Sequence, residues 1–141
     1  MVTKQVFPVF IFPKKEAEKY HLVYIPDWDI STEGEDFLDC IEMARDASGL
    51  MWMDMIGSEP VPSSYQEAFA KARKNGDEEL DFSEAALTMV DVDVIKYSEE
   101  LKRRAVKKNC TIPYWLNEKA EEMGVNFSRV LQDALIQLVE Q

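Results

Sequence analysis

The sequence is poor in the residues from which most active sites are built. It has one histidine, His21, two cysteines and five glycines among 141 residues. His21 lies inside a strand-like pattern with no serine or cysteine nucleophile motif nearby, which is more typical of a structural residue than of a catalytic base. No glycine-rich phosphate loop, CxxC pair or HExxH motif is present. The sequence therefore offers no positive argument for an enzyme, and we expect no catalytic residue, metal or cofactor.

Long apolar segments are also missing. The early apolar run over residues 6–12 contains Pro8, and it is too short and too broken for a signal sequence or a membrane span. We therefore expect a soluble, cytoplasmic protein with no membrane partner. Cys40 and Cys110 are far apart and sit within apolar patterns, so we predict two reduced, buried thiols rather than a disulfide or a metal site.

Positive charge is scarce in most of the chain. Residues 1–100 hold 9 Lys+Arg against 22 Asp+Glu, a net charge of -13, whereas residues 101–141 hold 7 against 5, a net charge of +2. The acidic part would repel phosphates and suits a basic protein partner. The basic segment, in contrast, suits contact with phosphates.

The first hundred residues have the pattern of a small α+β domain. Residues 4–12 and 20–25 are rich in aromatic and β-branched side chains, which predicts two antiparallel strands, with Pro8 at an edge or strand-start position. A short third strand is predicted at 30–32, a helix from Gly34 to near Gly57, a second helix over 64–74 and a last strand over 86–94. The predicted order is β-β-β-α-α-β. We place this domain at 1–96, followed over 97–104 by a charged connector with room for one or two helical turns.

Five carboxylates cluster around the third predicted strand and the start of the first helix. Paired carboxylates can hold a divalent metal for hydrolysis, but such a site needs ligands that converge from separate elements. Carboxylates near a helix N-terminus are favoured by the helix dipole without any metal. Helix capping or contact with a partner is therefore the better interpretation of Asp27, Asp29, Glu33, Glu35 and Asp36.

The last 37 residues, 105–141, have a different organisation. Side chains alternate over residues 106–113, so Lys107, Asn109 and Thr111 share one face of a predicted strand. Pro113 ends that strand and suits the first turn of a helix, which Gly124 ends. Asn126 can cap a second helix with a continuous apolar face. The predicted order is strand, helix, turn, helix.

A unit of this size buries too little apolar surface to be stable alone, and its single strand leaves a backbone edge unpaired. Dimerisation answers both problems, since two strands pair into a ribbon and four helices close one core. A two-stranded ribbon fits the major groove of DNA, where Asn109 suits adenine, Lys107 suits guanine, and Thr111 suits a base acceptor or a thymine methyl. The other predicted DNA contacts are to phosphates, from Arg103 and Arg104 before the strand and from the helix start at Asn126, Phe127 and Ser128.

The stretch "VKKNCTIPYWLNEKAEEMGVNFSRVLQDALIQLV" resembles the ribbon-helix-helix domain of bacterial repressors. Together with "FPVFIF", "YIPDWDISTEGEDFLDCIEMARDA" and "PVPSS", in that order, nearly the whole chain resembles HicB-type antitoxins of type II toxin-antitoxin systems. Some members of that family carry a helix-turn-helix domain instead. Here the predicted strand and Pro113 favour the ribbon.

The resemblance implies an antitoxin. Its N-terminal domain would have a partial ribonuclease H-like fold without catalytic carboxylates, and would occlude a HicA-type toxin, a basic mRNA interferase with a catalytic histidine. The ribbon-helix-helix at 105–141 would bind operator DNA as a homodimer, or as a tetramer if dimers also pair through the body, and would repress the operon. The resemblance places the toxin contacts among acidic and loop residues of the body: Asp27, Trp28, Asp29, Glu33 and Glu35.

Two other classes of protein fit parts of the pattern. The same C-terminal domain could serve a repressor whose N-terminal domain senses a small molecule, which would require an apolar pocket with converging polar groups. The acidic cluster could instead belong to a metal-dependent nuclease. An adjacent reading frame for a basic protein with one histidine would favour the antitoxin, and metal-dependent RNA cleavage by the purified chain would favour the nuclease.

Overall fold

The computed structural model describes residues 2–76 and 78–140, which form two compact units. The N-terminal unit, residues 1–104, contains four strands and three helices: β1 (Lys4–Ile11), β2 (His21–Ile25), β3 (Ile30–Gly34), α1 (Phe37–Asp54), α2 (Tyr65–Asn75), β4 (Ala86–Asp93) and α3 (Val94–Arg103). The C-terminal unit, residues 105–141, contains α4 (Tyr114–Glu122) and α5 (Phe127–Val139). The α+β class predicted from the sequence is confirmed.

The four strands form one antiparallel sheet in the order β3-β2-β1-β4. Each face of the sheet has its own core. Phe7, Val9 and Ile11 of β1 point to the cluster that includes Trp52 of α1, while Phe10 points to the cluster that includes α2. Because both faces of β1 are buried, its sequence is a continuous apolar run rather than an alternation of apolar and polar residues.

Pro8 lies in the central strand β1, so the prediction of an edge or strand-start position is wrong. Pro8 is opposite Met89 of β4, but the pairing of β1 with β2 includes only Phe10 and Ile11 of β1. On the β2 side Pro8 therefore has no ladder to interrupt, and a missing N–H is tolerated there.

Close packing fixes the start of α1 against β3. A Cβ at Gly34, the last residue of β3, would lie 2.6 Å from the backbone nitrogen of Cys40. Asp36 caps α1 by accepting a hydrogen bond from the Asp39 N–H at 2.8 Å, as expected for a carboxylate at this position. The first turn of α1 is thus held beside the end of the outer strand β3.

Most of the predicted connector is helical: residues 97–103 belong to α3 (Val94–Arg103). Tyr97 is buried, and its ring lies so close to Gly49 of α1 that a Cβ there would be 2.6 Å away. The aromatic ring makes α3 part of the N-terminal unit.

In the C-terminal unit, residues 105–113 have no regular secondary structure in the single chain. A strand is defined by hydrogen bonds to a neighbour, and none is available to this segment within one copy. The strand over 106–113 therefore stays a prediction for the dimer. Gly124 ends α4 in the left-handed region, with φ of 68°, where glycine is favoured.

Candidate functional site

Asp27 is a structural residue of the N-terminal unit. Its side chain is 0% exposed, and it accepts hydrogen bonds from the Lys71 ammonium at 2.6 Å, the Ser63 hydroxyl at 2.5 Å and the Ser63 N–H at 2.9 Å. These contacts join the turn after β2 to the loop before α2 and to α2 itself. With no exposed surface and three hydrogen bonds to its own chain, the Asp27 carboxylate is not presented to a partner, contrary to the prediction.

Trp28 is also wrongly assigned to a partner surface. It is 6% exposed and packs against Phe7, with ring centroids 5.3 Å apart. Its burial belongs to the α1-side core. The sequence showed only an aromatic between two acids, which is the pattern of an exposed loop.

The remaining predicted partner residues, Asp29, Glu33 and Glu35, are exposed. Asp29 has a left-handed φ of 50° and accepts a hydrogen bond from the Tyr24 hydroxyl at 2.6 Å. Burial and this carboxylate raise the pKa of Tyr24. Glu35 forms an exposed ion pair with Lys19 at 3.5 Å, and ion pairs in solvent contribute little to stability.

These three acids flank or lie on β3, which is an outer strand of the sheet. The surrounding sequence, residues 20–44, contains seven Asp+Glu and no Lys or Arg. Two apolar side chains at the start of α1, Phe37 and Leu38, are 55% and 66% exposed. These two side chains add an apolar contribution to the acidic surface around β3.

The C-terminal unit presents an open apolar groove of about 660 Å³. None of its described residues is buried. The groove is lined by alternate residues of the segment before α4, together with residues of both helices: Lys108, Cys110, Ile112, Leu116, Asn117, Ala120, Glu121, Val125, Phe127, Ser128, Val130, Leu131 and Ala134. Cys110 is exposed in the single chain, so the prediction that it is buried does not hold for one copy. Cys40 is buried, as predicted.

The residues predicted to read bases, Lys107, Asn109 and Thr111, are absent from the lining of that groove and are exposed. Over residues 107–112 the structure therefore separates these three side chains from Lys108, Cys110 and Ile112, which line the groove. At the start of α5, Asn126 accepts a hydrogen bond from the Arg129 N–H at 3.1 Å. The N–H groups of Phe127 and Ser128 precede that capped position, in the first turn where helix N–H groups have no intrahelical acceptor.

The basic cluster is divided between the two units. Arg104 donates to Asp46 of α1 at 2.9 Å and lies over the Tyr97 ring, 5.6 Å from its centroid. Tyr97 donates to the same carboxylate at 2.9 Å, and burial with this bond raises the pKa of Tyr97 to about 12. Arg103 lies in the last turn of α3. Both arginines predicted to approach DNA thus belong to the N-terminal unit.

This division changes the charge of each unit. Residues 1–104 hold 12 Lys+Arg against 22 Asp+Glu, a net charge of -10, and residues 105–141 hold 4 against 5, a net charge of -1. The C-terminal unit is therefore not basic overall. Attraction of this unit to phosphate therefore depends on the positions of its few cations and helix-start N–H groups, not on its net charge.

One cleft of the N-terminal unit differs from the pocket expected of a small-molecule sensor. A cleft of about 400 Å³ between α1, β4 and α3 is lined by charged side chains that include Arg45, Asp91 and Glu100, unlike the apolar pocket of a small-molecule sensor. Among residues 2–76 and 78–140, no group of three or more His, Cys, Asp or Glu is placed to hold a metal ion. In the same residues, no helix has both the length and the apolar character needed to cross a bilayer.

The chain thus combines an antiparallel sheet packed on both faces with a small helical unit that has an open apolar groove. No protein-family model matches the chain, and no curated protein matches it.

A solved structure does match: a chain of the "Toxin-Antitoxin complex from Streptococcus pneumoniae" is similar to this protein. The match covers 95% of the present chain and 98% of the chain in that complex. The two are 28% identical, with a TM-score of 0.54. The likeness covers both units, so it supports a relation to a component of a toxin-antitoxin complex.

Proposed function

We propose that the protein is an antitoxin of the HicB type, with an N-terminal unit that binds and occludes a HicA-type toxin. The observation that carries this proposal is the likeness, over nearly the whole chain, to a chain of a toxin-antitoxin complex. The acidic, partly apolar surface around β3 supports a basic protein partner, since Glu33 is exposed there and Lys19 is already paired with the exposed Glu35.

The second part of the proposal is a ribbon-helix-helix dimer that binds operator DNA through residues 105–141. The open groove supports this, because a second copy would cover the apolar side chains that one copy leaves exposed. The separation of Lys107, Asn109 and Thr111 from the groove supports a polar ribbon face in contact with bases. The N–H groups at the start of α5 would bind phosphate.

The direct experiment is co-purification of this chain with the untagged product of the adjacent reading frame. The proposal expects a stable complex in which the partner is a small basic protein. Operator binding without any such complex would instead favour the sensor repressor, and the search would turn to small ligands.

If the Lys107 side chain meets a phosphate, replacing it with alanine is expected to weaken binding to all DNA sequences and to flatten the dependence of log Kd on log salt by about 0.9 for each phosphate that the lysine neutralises. If Lys107 binds a base instead, the decrease in affinity will depend on sequence. Arg104→Ala is the matched control, because the Arg104 guanidinium is already held by Asp46. Filter binding at several salt concentrations measures both slopes. Equal flattening in the two variants would mean that Arg104 leaves Asp46 for phosphate.

Asn109→Ala is expected to weaken operator binding by about 1–3 kcal/mol and to relax preference at one base pair in each half-site. The reason is that alanine cannot make the bidentate amide hydrogen bonds to adenine. Competition between the operator and single-base variants measures the effect. Unchanged affinity and unchanged preference would refute the base-reading role of this face.

A further inference from the structure

The two outer strands of the sheet differ in how their edges are satisfied. On β4, the Asp91 carbonyl accepts a hydrogen bond from Arg45 Nε at 2.9 Å, and Arg45 also pairs with the Asp91 carboxylate at 2.9 Å. A side chain therefore already occupies part of that edge. Within residues 2–76 and 78–140, no side chain is hydrogen-bonded to the backbone of β3, and no strand lies outside it.

An unpaired edge of this kind is a template for another strand. The alternation along β3 leaves the side chains of Ser31 and Glu33 exposed, so both can contact a strand that pairs with this edge. At its end, the close packing of Gly34 on Cys40 holds the first turn of α1 next to β3, and that turn carries the exposed Phe37 and Leu38, with Phe37 stacked on His21 of β2 at 5.1 Å between ring centroids. Apolar side chains next to free backbone groups are a suitable anchor for a docked chain.

The negative charge around the outer edge of β3 favours a basic strand as its pairing partner. In antiparallel pairing with a second copy of β3, acids would approach acids, and like charges across a strand pair are destabilising. The nearby cation, Lys19, is already paired with Glu35. A strand that carries lysine or arginine would meet Glu33 and Glu35 with favourable charge.

We propose that β3 binds the partner by strand addition: a basic protein extends the sheet with one of its own strands along Ile30–Gly34, anchored on Phe37 and Leu38. The proposal rests on the antitoxin function above and adds the mode of binding. The occupant is a basic edge strand of the toxin, with alternating contacts to the exposed side chains of β3.

Amide hydrogen exchange of the full chain, alone and in complex with the adjacent-frame product, tests the mode of binding. The outward amides of β3 are expected to exchange at least tenfold more slowly in the complex, whereas those of β4 keep their rates. A complex without protection in β3 overturns strand addition and leaves the antitoxin function intact. Failure to form any complex overturns both. Protection of β3 that depends on the concentration of this chain alone identifies a second copy as the occupant and also overturns the proposal.

A pair of proline variants tests the backbone pairing itself. Successive residues of an edge strand direct their N–H groups in opposite directions, so one of Ser31→Pro and Thr32→Pro removes a donor to β2 and the other removes an outward donor. The variant that keeps the wild-type melting temperature is expected to bind the partner at least tenfold more weakly. Full binding by that folded variant would contradict strand addition.

Charge reversal tests the choice of partner. Glu33→Lys is expected to weaken the complex at least tenfold, with a smaller effect at high salt. Glu99→Lys, an exposed acid of α3, is the matched control and is expected to change the affinity less than threefold. Equal losses of affinity in Glu33→Lys and Glu99→Lys would show that partner binding depends only on the net charge of the N-terminal unit.

Discussion

Replacing Asp27 with alanine is expected to destabilise the N-terminal unit by about 3 kcal/mol, a typical cost of breaking a buried, hydrogen-bonded ion pair. The substitution leaves the Ser63 N–H and hydroxyl without their acceptor in a partly buried site. Lys71 recovers some solvation because 39% of its side chain is exposed, which keeps the destabilisation near the lower end of the range.

Urea denaturation followed by the fluorescence of the buried Trp28 and Trp52, in a Trp115→Phe background, measures this decrease in stability. Glu33→Ala is the control, since an exposed acid without a short contact is expected to change stability by less than about 0.5 kcal/mol. Below the unfolding transition, Asp27→Ala is expected to keep partner binding. A stable Asp27→Ala variant that no longer binds the partner would show that Asp27 takes part in partner binding.

Leu131→Asp is expected to abolish dimerisation and operator binding together. Leu131 lines the groove of the C-terminal unit, and in the dimer its side chain would be covered by the second copy. Each dimer would then bury two unpaired carboxylates, at several kcal/mol per charge. A cost of about 4 kcal/mol or more corresponds to a thousandfold rise in the dimer Kd.

Analytical ultracentrifugation gives the mass of this variant, and filter binding gives its affinity for the operator. Tyr114→Asp is the matched control, because Tyr114 is 82% exposed, does not line the groove, and stands at a helix start where a carboxylate is tolerated. A Leu131→Asp protein that remains dimeric through the C-terminal unit would refute the ribbon-helix-helix interface.

The order of the strands and of α1, α2, α4 and α5 could be predicted from the sequence because each carries a local signal, whereas the strand over 106–113 stays a prediction. The apolar run of β1, the helical spacing of α1 and the capping residues Ser64 and Asn126 all act over a few residues. The place of β1 in the sheet could not be predicted, since Pro8 suggested an edge. Only the short overlap of β1 with β2, a tertiary feature, shows why a central strand tolerates proline there.

The candidate sites were predictable only in part, for a related reason. The sequence alone does not distinguish a buried, paired aspartate such as Asp27 from an exposed one, because its partners Ser63 and Lys71 are 36 and 44 residues away. In the same way, Arg104 belongs to the basic cluster in sequence but pairs with Asp46, 58 residues away. The alternation around Asn109 is local, and the structure places Lys108, Cys110 and Ile112 in the groove without Lys107, Asn109 and Thr111, whose contact with bases stays a prediction.

The measurement that tests the antitoxin function most directly is RNA cleavage by the purified adjacent-frame product, with and without this chain at equal concentration. The proposed function predicts that the product alone cleaves RNA and that the chain suppresses cleavage, with Glu33→Lys suppressing less than Glu99→Lys. Cleavage that continues at full rate in the presence of a folded excess of this chain would contradict it.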